Sequence, residues 1–89
     1  MQLKTFGTPQ SLPSGFNSTD RASMATLKNG LYWHTDNDGA LNFPSGWGFL
    51  IKFGIKDGDD FSALYFAQPK GSIYKCSGNM NSITGWLQV

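Results

Sequence analysis

Between Trp47 and Lys56 the chain reads WGFLIKFGIK, and its side chains alternate. Positions 47, 49, 51, 53 and 55 carry Trp, Phe, Ile, Phe and Ile, while 48, 50, 52, 54 and 56 carry Gly, Leu, Lys, Gly and Lys. Strict period-2 alternation puts each set on its own side of an extended chain; on a helix the bulky set would scatter around the axis. The pattern predicts an antiparallel strand of roughly 30 Å, with Trp47, Phe49, Ile51, Phe53 and Ile55 buried and the even positions largely wet.

The other elements fall around this strand. Phe61–Gln68 (FSALYFAQ) predicts a return strand, apolar on both sides and so covered on both. Asp57-Gly58-Asp59-Asp60 forms the intervening turn. Pro69-Lys70-Gly71 turns the chain again into strands over 72–77 and 83–89, joined by a loop at 78–82. Leu31–Thr35 (LYWHT) gives a further strand, linked to the spine by a polar connection with a turn at Asp38-Gly39 and an anchor at Phe43-Pro44. One helix is expected, from Thr19 to Asn29, capped by Thr19 or Asp20, docked through Met24 and Leu27, and stopped at Asn29-Gly30. Residues 1–18, with Pro9, Pro13, Gly7 and Gly15 between the anchors Leu3, Phe6, Leu12 and Phe16, form an extended arm. The arm packs either on a neighbouring surface or on its own domain. The expected fold class is mainly β: a small antiparallel meander of about five strands over residues 19–89, with one short N-terminal helix and the extended arm.

Composition narrows the function. Eighty-nine residues allow one domain with a thin core. Aromatic and charged residues each make up 15%, a balance that suits a chain burying much of its surface, contacts with copies of itself included. The net charge is +1 with no basic block, which argues against nucleic-acid binding. The acidic residues are all Asp, a turn former. Cys76 is alone, so no disulfide staples the chain. No stretch of apolar residues is long enough for membrane insertion, and the amino terminus lacks a signal peptide's layout. Asn17-Ser18-Thr19 matches a glycosylation sequon but, without a secretion signal, reads as polar loop.

Groups for common catalysis are sparse, and no enzyme activity or cofactor is expected. His34 is the sole histidine and has no nucleophile at a recognisable spacing, Cys76 included; it is read as a polar position facing out, opposite Trp33. Asp57, Asp59 and Asp60 could serve a glycosidase, but all three sit in one turn. Asp36-Asn37-Asp38-Gly39 resembles the start of a calcium loop yet lacks its terminal Glu. A zinc site would need three copies of His34 around an axis; no metal site is assigned. The aromatics offer more, because the apolar side of a sugar ring stacks on an aromatic face. Trp47 is assigned to packing by its place on the spine. Trp33 and Tyr74, with His34, are the candidate ligand-binding residues.

From Ser18 onward the layout resembles the knob domain of R-type pyocin and phage tail fibres. The resemblance runs through Leu27…Asn29-Gly30-Leu31-Tyr32-Trp33, Gly46-Trp47-Gly48-Phe49-Leu50-Ile51, Gly71-Ser72-Ile73-Tyr74-Lys75 and Gly85-Trp86-Leu87-Gln88-Val89. Ile83 stands where the family often has a first of two tryptophans, and Lys75 where Arg is usual. The segment Phe6–Phe16 is similar to the linkers that precede such knobs. The resemblance implies the C-terminal tip of a homotrimeric tail fibre, made in the bacterial cytoplasm and carried on the virion or a phage-tail-like particle. There it would act as an adhesin for host attachment, through a bacterial surface glycan or other receptor. A purely structural knob capping the fibre shaft, and a glycan-degrading enzyme fragment, are the alternatives.

Overall fold

The computed structural model describes residues 8–35, 41–55 and 60–89. Strand β1 is Gln10–Ser11, β2 Gly30–His34, β3 Trp47–Gly54, β4 Phe61–Gln68, β5 Ile73–Gly78 and β6 Leu87–Gln88; helix α1 is Arg21–Thr26. The six strands lie side by side in chain order in one sheet. Every pairing is antiparallel except β1 with β2. The mainly β architecture with a single short helix is the expected one, and β4 has the expected bounds. The turn at 57–59, the loop at 36–40 and residues 1–7 lie outside the described residues, and with them the Asp36–Asp38 and Asp57–Asp59 expectations.

Local chemistry explains where the elements start and stop. Asp20 caps α1 by accepting from the Ser23 amide at 3.0 Å. The helix ends at Thr26, three residues before Asn29, because the chain turns extended at Leu27. The Nζ of Lys52, reaching over from β3, donates to the carbonyls of Ala25 and Leu27 at 3.3 and 2.6 Å. It thereby satisfies oxygens that a longer helix would have used internally. The expected strand over 83–89 is reduced to a bridge at Ile83 and two residues of β6. Gly85, at φ 75°, turns the chain between them. From residue 8 on, the arm packs on its own domain: Gln10 and Ser11 pair with Tyr32 and Trp33, and Phe16 and Ser18 are buried.

The core occupies one face of the sheet, and it is not the face expected. On β3 the even positions Gly48, Leu50 and Lys52 are buried, whereas Trp47, Phe53 and Ile55 are exposed and Phe49 and Ile51 half-buried. Register extends this inner face across the sheet. One row is Tyr32–Leu50–Tyr65–Tyr74 and the next is Lys52–Ala63–Cys76. Helix α1 with Met24, Ala25 and Leu27, the segment holding Leu41 and Phe43, Leu12 and Phe16 of the arm, and Trp86 cover it. Small residues admit that cover. A Cβ on Gly48 would meet the Phe66 carbonyl at 2.5 Å and the Tyr65 hydroxyl at 2.6 Å, so the tyrosine ring can lie over β3 only because residue 48 has no side chain.

Candidate binding face

The opposite, outer face of the sheet carries the bulky half of the alternation. Across it run the rows Trp33–Phe49–Phe66–Ile73 and Leu31–Ile51–Leu64–Lys75–Leu87, flanked by Phe53–Ser62–Ser77 and Trp47–Gln68. Trp33, Trp47 and Phe53 are exposed by 41, 42 and 49%, values that no core aromatic shows. Trp33 and Trp47 lie diagonally on neighbouring strands, since Trp33 pairs with Phe49 two residues along from Trp47. Such diagonals bring large side chains within reach of each other. Lys75 is the one charged side chain of the described residues in these rows. At the β3–β4 end, Phe53, Ile55, Asp60, Phe61 and Ser62 line a shallow groove.

The three residues singled out from the sequence are separated by this arrangement. Trp33 stands on the outer face, as expected. Tyr74 belongs to the inner row and is half-buried, its ring 6.4 Å from that of Tyr65. His34 faces inward rather than out, and it is 4% exposed. Its ring stacks on Phe43 at 4.3 Å, and Nε2 lies 2.5 Å from the Tyr65 hydroxyl.

The Ser45 hydroxyl donates to the Trp47 carbonyl at 2.8 Å and lies within hydrogen-bond distance of the Tyr65 hydroxyl at 2.7 Å. The Tyr65 hydroxyl thus bridges Ser45 and His34 Nε2. Burial raises the Tyr65 pKa, and the Ser45 hydrogen bond works against that rise. This chain of hydrogen bonds ties the loop at Ser45 to the sheet. Trp47 and Phe53, assigned to the core from the sequence, are the surface aromatics it missed. The signal that marks their side is the run of small residues at Gly48, Ala63 and Ala67, which identifies the face that other segments approach.

Burial also raises the thiol pKa of Cys76, partly offset by hydrogen bonds involving Thr84 and Gly85, and the cysteine lies inside the inner face. Among the described residues no group of three or more His, Cys, Asp or Glu side chains converges as metal ligands, and no helix is long and apolar enough to cross a membrane. No family model, curated protein or solved structure matches the chain.

Proposed function

We propose that this chain is the receptor-binding tip of a homotrimeric phage or phage-tail-like fibre, attaching the particle to a bacterial surface glycan without catalysis. The observation that carries this is the outer face: a sheet surface rich in exposed tryptophan and phenylalanine, with a single lysine in its described rows, has the composition of a surface on which copies assemble around a receptor-facing rim. The biological setting rests on the motif order that resembles tail-fibre knobs. Each motif falls at the entry of a strand: 27–33 at β2, 46–51 at β3, 71–75 at β5 and 85–89 at β6.

Three copies on one axis would multiply weak saccharide affinity into avidity. The test is binding of fluorescently labelled protein to bacterial cells and to a glycan array, with the copy number fixed by native mass spectrometry. A trimer showing saturable binding that purified surface polysaccharide competes away is the expected result. The structural-knob alternative is favoured by one observation, the inward placement of His34 and Tyr74, which leaves Trp33 alone of the three candidate contacts on the surface. A trimer that binds no cell or glycan would establish that alternative.

A further inference from the structure

We infer that the outer face of the sheet is a self-association surface, occupied by a second copy of this chain. The inference rests on the fibre-tip reading only for the number of copies. Its first support is area. An aromatic side chain presents ~150–250 Å² when fully bare. The exposures of Trp33, Trp47, Phe53, Ile73 and Leu87, with the half-buried Phe49, Ile51, Leu64 and Phe66 between them, therefore leave on the order of 600 Å² of apolar surface, interrupted by Lys75 before Leu87. That is at the top of the ~300–600 Å² range for the largest patch on a monomer and close to the ~800 Å² per partner of a stable complex.

The second support is chemistry. A face whose described rows hold one lysine and no carboxylate offers a charged partner little to pair with. Lys75 sits on β5, one strand from the sheet's end, where its stem can lie along apolar neighbours while the ammonium reaches water at the seam. The third is geometry. The strands at the two ends, β1 and β6, are two residues long, too short to template edge-to-edge pairing, so association goes through the face. Sheets pack face to face at ~10 Å, and three sheets ~24 Å wide, from six strands at ~4.8 Å spacing, would enclose a prism that Trp and Phe side chains can fill. On this inference Trp33 and Trp47 are contacts between copies, and the receptor is met at the rim of the assembly.

Sedimentation equilibrium of the full chain, with Trp47→Lys, Phe53→Glu and the opposite-side control Lys28→Glu, tests this. The expected result is an assembled wild type, a dissociation constant raised ~30-fold or more by each outer-face variant, and no change for Lys28→Glu. Circular dichroism establishes that the variants fold. Should either fail to, dilution of the wild type provides the second readout. On dissociation Trp33 and Trp47 become water-exposed, so the emission shifts to the red and quenching by acrylamide increases, while the inner-side Trp86 contributes a constant background.

A monomeric wild type at micromolar concentration overturns the inference and leaves glycan attachment to be judged by cell binding. So does an assembly indifferent to both outer-face variants, or dissociation without a spectral shift. A dimer broken by the same variants would uphold the inference and overturn the trimeric fibre tip.

Discussion

The two faces of the sheet are built from the same strands yet follow opposite rules. The inner face mixes sizes: Gly48, Ala63 and Ala67 lie beside Tyr65, Leu50 and Tyr32. A helix of six residues and three irregular segments can therefore settle between the large side chains. The outer face is bulky along its central rows, with serines at its margins, and no described segment of the chain covers it. Unevenness is what lets a thin layer of loops pack densely, because rings enter the gaps the small residues leave. A level bulky surface instead fits another extended surface.

The largest effect expected from this contrast comes from truncating equivalent positions on the two sides of β3. Leu50 is 1% exposed, and Leu50→Ala should destabilise by about 3 kcal/mol. Phe53, half exposed, should lose less than about 1 kcal/mol on Phe53→Ala in dilute solution. Urea unfolding at low and high protein concentration measures both. If copies cover the outer face, the gap between the two variants narrows as concentration rises, since assembly stabilises only the folded state. Equal losses in dilute solution would erase the distinction between the faces.

The next effect concerns the one charged group in the inner face's described rows. Lys52 is 3% exposed and anchors the carbonyl end of α1, so Lys52→Ala leaves two oxygens unpaired and a stem-sized gap. A loss of about 2–3 kcal/mol is expected, against about 1 kcal/mol for Lys52→Met, which keeps the stem. Burial lowers the Lys52 pKa from 10.5. Between that lowered value and 10.5 the unfolded chain holds more protons than the folded one, so this lysine makes stability rise with pH. Cys76, Tyr32 and Tyr65 act in the other direction. Their pKa values are raised by burial from 9.0, 10.0 and 10.0, so the stability they contribute is full below those values and is lost as pH climbs through them. Wild-type stability should therefore decline above about pH 9, and Lys52→Met should decline more steeply because the opposing slope is gone. Thermal melts from pH 7 to 11 decide it; parallel profiles would mean that Lys52 does not titrate differently on folding.

Much of this fold was legible because strands advertise themselves locally. Phe61–Gln68 and the start at Trp47 follow from alternation and flanking turns, and a cap at Thr19 or Asp20, of which Asp20 is the one used, from their place before a helical run. Alternation also established which side chains of β3 share a side. It could not say which side the rest of the chain would cover, since that depends on contacts made far away. Lys52 meets carbonyls 25 and 27 residues distant, and His34 meets a tyrosine 31 residues on. Bulk therefore pointed to the wrong face, and polarity pointed His34 outward although a buried tyrosine hydroxyl was there to pair with it. The parallel pairing of β1 left no local mark either, being two residues long. Of the candidate site, Trp33 was read as exposed and stands on the outer face between Ser11 and Phe49; Trp47 was hidden by the assumption that bulk means core.

The smallest effect isolates what the covered side demands of a tryptophan. The Nε1 of Trp86 donates to the Ser18 hydroxyl at 3.0 Å, and Ser18 is fully buried. Trp86→Phe keeps an aromatic ring against Phe43 and Tyr65, whose centroids lie 5.9 and 5.7 Å away, but removes the donor. About 1 kcal/mol of stability should be lost. Ser18→Ala leaves the indole N–H unpaired instead, so the double variant should be destabilised by less than the two single losses together, and unfolding of all four proteins measures that coupling. For Trp33, whose indole makes no hydrogen bond among the described residues, Trp33→Phe in dilute solution should change stability by less than a few tenths of a kcal/mol. Identical responses from the two tryptophans would mean that the Ser18 bond adds nothing, and that the covered face holds Trp86 by shape alone.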